Sequence, residues 1–150
     1  MTGIYARPCE DLSLELVHRE SGKVVEKLPI RLAQEEHRAF ILATWVRSYA
    51  SHARKAVPRS AYAEGEAKLA ERFWPKTFVV TSPDDDYTIH AWICCEPGHL
   101  YHVYVIPELR RKGIADSLVR KLVGGKVQYA RPWPYDVPRN WTFNPYLWLE

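Results

Sequence analysis

The strongest constraint on the fold is the segment 99–123, where the hydrophobic pattern changes from that of a strand to that of a helix. Residues 99–106 are rich in β-branched and aromatic side chains, and Pro107 ends the run. After Gly113 the apolar residues recur at the i, i+4 spacing of an amphipathic helix, until a glycine pair ends it. The segment therefore predicts a strand, a short basic loop and a helix that packs against a sheet.

The basic loop has the chemistry of a diphosphate site. The first backbone N–H groups of a helix have no intrahelical acceptor, and the helix dipole is positive at that end. Gly113 lets a ligand approach the main chain, and the small Ala115 leaves that approach open. The basic residues at 110–112 add positive charge. The simpler interpretation of the same loop is an ordinary helix start with surface charge.

In this setting the loop resembles the acetyl-CoA motif of the GNAT superfamily of N-acetyltransferases. That motif is Q/R-x-x-G-x-G/A after a strand that ends in V-x-P, and the matching residues are Val105, Pro107, Arg110, Gly113 and Ala115. The likeness is close over residues 100–122, and the order of predicted elements extends it loosely over 28–130.

The resemblance implies an α/β (α+β) architecture, the GNAT acyl-CoA N-acyltransferase fold. Its central sheet would be mixed, mostly antiparallel and flanked by helices, with the strands at 99–106 and 126–130 parallel and splayed apart. Residues 1–27 would be an N-terminal extension with a weak hairpin pattern, and 28–150 the acetyltransferase domain with a short, atypical C-terminal tail. The other predicted elements are strands at 28–32, 76–82 and 87–95 and helices at 34–49 and 61–74, the second capped by Ser60.

The resemblance also implies how acetyl-CoA, the expected co-substrate, would bind. Main-chain groups of Val103 and Val105 would pair with the pantetheine arm as an added strand, and the amide around Val103 to Tyr104 would polarise the thioester carbonyl. The pyrophosphate would lie against the motif residues, which are Arg110, Arg111, Lys112, Gly113, Ile114 and Ala115. We expect no metal.

Transfer to an amine calls for a base, because a lysine-like amine is protonated at pH 7 and its deprotonation costs about 4.6 kcal/mol. His99 begins the central strand, where several GNAT members place a glutamate or histidine base, and imidazoles titrate near neutral pH. In a regular strand His102 points to the face opposite His99, and a bulge would change that. Tyr135 and Tyr146, in the tail, are the candidates for the acid that protonates the departing CoA thiolate.

The cysteines and the hydropathy of the chain indicate in which compartment the protein is expected. Of the three cysteines, the adjacent Cys94 and Cys95 suit neither a disulfide framework nor a shared zinc ion, because neighbours in a strand point to opposite faces. No apolar run is long enough to cross a bilayer, and the first residues lack the apolar segment of a secretory signal. We therefore expect buried reduced thiols, a cytoplasmic location and no membrane association.

The function that we expect is transfer of an acetyl group from acetyl-CoA to a primary amine by direct attack, without a covalent enzyme intermediate. The acceptor, a small molecule or a protein, stays open, as does a homodimer formed through the tail. One alternative is a catalytically inactive acyl-CoA-binding or interaction module. A less favoured one is a nucleic-acid-associated protein that uses the basic stretch 110–131, although 21 Lys and Arg against 18 Asp and Glu is a mild excess.

Overall fold

A computed structural model describes residues 3–48, 59–129, 138, 140–144 and 146–147. These residues form a mixed α/β fold in which three α-helices flank an eight-stranded sheet. The strands are β1 (Ile4–Pro8), β2 (Ser13–His18), β3 (Val24–Leu32), β4 (Thr77–Ser82), β5 (Asp85–Glu96), β6 (His99–Val105), β7 (Val127–Tyr129) and β8 (Trp141–Phe143). The helices are α1 (Arg38–Ser48), α2 (Arg59–Arg72) and α3 (Ile114–Leu122). None of the described helices has the length and apolar character needed to cross a membrane.

The strands lie in the sheet in their chain order. From β1 to β6 each neighbouring pair is antiparallel, whereas β7 is parallel to both β6 and β8. The parallel pair β6–β7 requires a crossover connection, and α3 supplies it. The expected mixed, mostly antiparallel sheet flanked by helices is confirmed, including the parallel pairing of the strands on either side of α3.

Two hydrophobic clusters cover the two faces of the sheet. On the first face α3 packs on β6, and Leu118 lies in one cluster with Val103 and Val105. On the second face α1 packs on β5, where the rings of Trp45 and Trp92 stack at 5.3 Å with their planes 9° apart. Burial of each large apolar side chain contributes roughly 1.5–3 kcal/mol to folding. The residues of β6 therefore meet different neighbours on the two faces.

The N-terminal residues belong to the same sheet as the rest of the chain. β3 starts at Val24 instead of residue 28 and pairs with β2, so a division at residue 27 falls inside a strand. The sequence pattern is weak here because Val24 and Val25 are 49% and 47% exposed, which removes the alternation of buried and exposed positions.

The two predicted helices before β4 are present, but their N-terminal ends differ from the prediction. α2 already begins at Arg59, so Ser60 lies inside the first turn, and its predicted role as the cap is wrong. The helix predicted at 34–49 opens with a 3-10 turn, where the Gln34 N–H donates to His37 Nδ1 at 2.9 Å. His37 Nε2 also lies 2.8 Å from the carbonyl oxygen of Asp86, which joins this turn to the β4–β5 hairpin.

Candidate functional site

The loop between β6 and α3 has an unusual backbone. Arg111 and Gly113 both have positive φ, of 66° and 83°, on either side of Lys112. Backbones that include left-handed residues can aim successive N–H groups at one point, as in anion-binding nests. Gly113 is also the N-cap residue of α3, and no side chain caps that helix. The first-turn N–H groups of α3 are therefore available to an external acceptor.

The β6–α3 loop is held in place by β1. The Ala6 N–H donates to the carbonyl oxygen of Lys112 at 2.6 Å, and Ser117 Oγ donates to the Ala6 carbonyl oxygen at 3.2 Å. A Cβ atom on Gly113 would lie 3.6 Å from that same oxygen. Gly113 was expected to leave space for a ligand, but the space beside its Cα faces β1. The residue is required for its left-handed backbone.

The three basic residues that precede Gly113 have different surroundings. Arg110 Nε donates to the Val105 carbonyl oxygen at 2.8 Å, and its guanidinium lies 5.4 Å from the centre of the Tyr104 ring. In the part of the chain that the structure describes, no carboxylate pairs with Arg111 or Lys112. Two cations thus flank the uncapped helix start, while the third is bound to the end of β6.

Alternate residues of β6 direct their backbone groups to opposite sides. The Ile106 N–H donates to the His90 carbonyl oxygen at 3.0 Å, which makes that pair a hydrogen-bonded pair of the β5–β6 ladder. By the alternation of antiparallel pairs, the N–H and C=O groups of Tyr104 also face β5, and those of Val103 and Val105 face away from it. Of the two amides expected to polarise a thioester, only that of Val103 is directed to the side of β7.

The described part of β7, which reaches Tyr129, pairs with β6 over a short stretch. The described pairing consists of His99↔Gln128 and Leu100↔Tyr129, and no described residue pairs with β6 on that side beyond it. At the same place the register against β5 shifts by one residue, so that Tyr101 is the extra residue of a β-bulge. A bulge bends and twists its strand at this point. We call the edge of β6 that faces away from β5 at residues 101–105 the β6 gap; on this edge the Val105 carbonyl oxygen accepts from Arg110 Nε.

The bulge also changes which side chains share a face. Tyr101 lies in the cluster under α1 and α2, and the His102 ring is 5.1 Å from Trp45 and 5.0 Å from Trp92 on that same face. The His99 ring lies 6.3 Å from the Tyr101 ring. His99 and His102 are therefore on one face, and the regular-strand expectation of opposite faces is wrong because Tyr101 interrupts the alternation.

A polar cluster surrounds His99 on this face. Tyr101 Oη donates to Glu96 Oε2 at 2.5 Å, and Lys76 Nζ donates to the same oxygen. These two hydrogen bonds, the one from Lys76 first, lower the pKa of the Glu96 carboxyl. His99 Nδ1 is 4.0 Å from Glu96 Oε2. The imidazole thus has an ionised carboxylate beside it, as a base that becomes positively charged requires.

His99 also lines a pocket of about 470 Å³ at the start of β6, beside β7 and β8. Its side chain is 28% exposed, so it is reachable by a ligand. Tyr146, one of the two predicted acids, is 69% exposed and does not line this pocket. Tyr135, the other, lies outside the described residues. The structure thus brings His99 to the base of the β6 gap and puts no described tail tyrosine beside it.

Three further groups with acid–base or nucleophilic chemistry, His102, Cys94 and Cys95, are buried and electrically neutral. Burial lowers the pKa of His102 to about 3, which makes its imidazole too weak a base for work at neutral pH. Burial raises the pKa of the Cys95 thiol to about 12 and that of the Cys94 thiol further. The two thiols lie on opposite faces of the sheet, Cys94 under α1 and α2 and Cys95 under α3.

The candidate metal ligands and part of the basic stretch have defined surroundings in the structure. Across residues 3–48 and 59–129 and the described tail positions, no three His, Cys, Asp or Glu side chains gather as metal ligands would. In the basic stretch 110–131, Arg120 pairs with Asp116 at 3.0 Å and Lys121 Nζ donates to the Cys9 carbonyl oxygen at 2.5 Å. These two cations are therefore engaged within the protein.

Sequence reasoning missed Lys76, Glu96 and Tyr101 as site residues. Glu96 and His99 are cross-strand partners on either side of the Pro97–Gly98 turn, and that hairpin pattern was the available indication for Glu96. Lys76 reaches the site only through the packing of β4 on β5, which no local pattern encodes.

Comparison with family models, with curated proteins and with solved structures finds no match to this chain.

Proposed function

We propose that the protein is an N-acetyltransferase that moves the acetyl group of acetyl-CoA to a primary amine. The proposal is carried by one succession along the chain: a strand edge that no described strand pairs beyond Leu100, a loop with left-handed residues and an uncapped helix start. An open edge binds an extended chain through backbone hydrogen bonds, and an uncapped helix start binds phosphate. Pantetheine followed by a diphosphate has both features in that order.

The sheet topology supports a GNAT-type arrangement. Its strands follow one another in chain order, and α3 connects the two strands of the parallel pair β6–β7. The β6 gap begins at the Tyr101 bulge and lies along β6 between the His99 pocket and the β6–α3 loop. A thioester lying along β6 would then have its diphosphate at one end of the strand and the amine acceptor at the other.

A direct transfer would use His99, Glu96 and the backbone amide of Val103. The amine loses a proton to His99, and its nitrogen forms a bond to the thioester carbonyl carbon. The Val103 N–H donates to the carbonyl oxygen as negative charge develops there. The C–S bond then breaks, and CoA leaves as a thiolate that takes up, through solvent, the proton given up by the His99 imidazolium. Glu96 stabilises the imidazolium across the 4.0 Å that separates it from His99 Nδ1.

Direct attack is favoured over an acyl-enzyme route because of the state of the two thiols of β5, the strand that pairs with β6. A nucleophilic cysteine needs a thiolate, and the buried Cys94 and Cys95 have raised pKa values. Direct attack by the amine, with its proton passed to His99 directly or through a water molecule, needs no thiolate. The inactive-module alternative keeps the CoA contacts and lacks the transfer, so binding and turnover have to be measured separately.

The test combines calorimetry of CoA binding with an assay of CoA release from acetyl-CoA over a panel of primary amines. We expect the wild-type protein to bind CoA and release it in the presence of at least one amine. His99→Gln is expected to lower kcat by about 100-fold, the order of a general base's contribution, and to leave the Kd for CoA unchanged. His18→Gln, at an exposed position of β2, is the matched control and should change neither quantity.

The outcomes separate the hypotheses. If CoA does not bind in calorimetry and no amine releases it, the proposal is overturned. Tight CoA binding without transfer to any amine would instead establish the inactive module. Turnover by His99→Gln at the wild-type rate across pH 6 to 9 would leave the transferase in place and remove His99 as its base.

A further inference from the structure

The polar side chains that line the pocket beside His99 include a cation and no described carboxylate. Its polar described walls include His99, Lys126, Gln128, Asn140 and Thr142, and no carboxylate lies among them. Its volume of about 470 Å³ is in the range of small-molecule sites. We call it the β7 pocket, because β7 and its two neighbouring strands form it.

The hydrogen bonds already made in the walls leave donors facing a ligand. Gln128 Oε1 accepts from Asn144 Nδ2 at 2.9 Å, so the unused group of the Gln128 amide is its NH₂ donor. No described carboxylate pairs with the ammonium of Lys126. The Thr142 hydroxyl can donate as well. An ammonium, an amide NH₂ and a hydroxyl together are a recognition set for a carboxylate.

The carboxylate nearest to His99 already has a cationic partner. Glu96 is ionised by its hydrogen bonds from Lys76 and Tyr101, and its Oε2 is 4.0 Å from His99 Nδ1. The Glu96–Lys76 pair has no net charge, whereas Lys126 on the pocket wall has no described carboxylate partner. A carboxylate on the acceptor complements this positive charge, and the role proposed for His99 assigns the position of its amine.

We infer that the acetyl acceptor is a small amine that carries a carboxylate, held with its carboxylate at Lys126, Gln128 and Thr142 and its amine at His99. The inference rests on the proposed transferase function, which assigns the amine end. It adds the class of acceptor, which neither the loop nor the β6 gap specifies.

The test uses two series of acceptors that differ only in the carboxylate. Unbranched ω-amino acids with one to five methylene groups are compared with alkylamines of the same chain length in the CoA-release assay. We expect kcat/KM to be about tenfold higher for the best ω-amino acid than for its alkylamine partner, with an optimum chain length set by the span from Lys126 to His99. Equal kcat/KM values in the two series at every length would overturn the inference.

Charge reversal supplies the matched variants. Lys126→Gln is expected to abolish the preference for the carboxylate series, and Lys126→Glu to invert it in favour of alkylamines and diamines. Lys23→Glu, at an exposed position in the β2–β3 turn, makes the same charge reversal elsewhere and should keep the wild-type preference. An unchanged preference in Lys126→Glu would contradict the assignment of Lys126.

A binding measurement without acetyl-CoA separates this inference from the proposed function. Pentanoate has the carboxylate and no amine, so it tests the β7 pocket alone. Titrated into ¹⁵N-labelled protein, it should shift the backbone amides of Gln128 and Thr142 in the wild type and not in Lys126→Glu. If these shifts occur while CoA neither binds nor turns over, the pocket stands and the transferase fails. If CoA binds and these amides do not move, the pocket assignment fails and the transferase stands.

Discussion

The buried imidazole of His102 makes a quantitative prediction about stability and pH. In the folded protein its pKa is lowered to about 3 by burial, against 6.5 for an ordinary histidine. As the pH falls below 6.5, the unfolded chain takes up a proton on His102 and the folded chain does not, so acid favours unfolding. The contribution of His102 to stability is therefore constant above about pH 7 and is lost progressively between there and pH 3.

The expected magnitude follows from these two pKa values. Between pH 7 and pH 5 the free energy of unfolding should fall by about 2 kcal/mol through His102 alone. His102→Phe keeps an aromatic ring against Trp45 and Trp92 and removes the titration, so the loss of stability of this variant over the same interval should be smaller by that amount. Urea unfolding at the two pH values measures both proteins, and His18→Gln serves as the exposed-histidine control.

A second measurement keeps this prediction testable if the variant does not fold. The ring protons of His102 in the wild-type protein should show no titration by NMR between pH 7 and pH 5. A titration of this ring near pH 6.5, or a wild-type pH dependence that His102→Phe fully retains, would refute the reasoning.

Three further predictions concern packing, the loop backbone and the thiols. Thr44→Val should lower the free energy of unfolding by about 1–3 kcal/mol, because Thr44 Oγ1 accepts a buried indole N–H at 2.8 Å that would lose its acceptor. Gly113→Ala should lower it by about 1–2 kcal/mol, because its φ of 83° strains any other residue. Ellman's reagent should modify Cys9 rapidly in the native protein, whereas Cys94 and Cys95, buried with raised pKa values, should react only after unfolding.

Each of these predictions has its own control. Thr44→Ser keeps the hydroxyl and should recover most of the lost stability. Gly65→Ala replaces a helical glycine that has open space around it, and it should stabilise the protein by up to about 1 kcal/mol instead. A neutral Gly113→Ala, or three thiols reacting together in native protein, would contradict the structure.

The strand, loop and helix of residues 99–123 could be predicted because local chemistry specifies them. Pro107 ends β6, Gly113 begins α3, and the apolar spacing defines the buried face of that helix. The parallel direction of β7 could be predicted as well, because a helix that crosses over a sheet leads into a strand parallel to the one before it.

What could not be predicted depends on register and long-range packing. The bulge at Tyr101 is defined only by pairing with β5, and it decides which face His102 occupies. The contact of Ala6 with the β6–α3 loop joins residues more than a hundred positions apart. The grouping of Glu96 with Lys76 likewise requires the alignment of β4 with β5. Patterns within one segment contain no information about any of these contacts.

The central claim is that the main chain from the β6 gap to the start of α3 binds the pantetheine and diphosphate of acetyl-CoA, and amide chemical shifts test it most directly. When acetyl-CoA is titrated into ¹⁵N-labelled protein, the amides of Val103, Val105, Lys112 and Gly113 should shift together along one saturable curve, while that of Gly22 in the distant β2–β3 turn stays unchanged. Saturating acetyl-CoA that leaves these four amides unmoved, or that moves them no more than Gly22, would contradict the account.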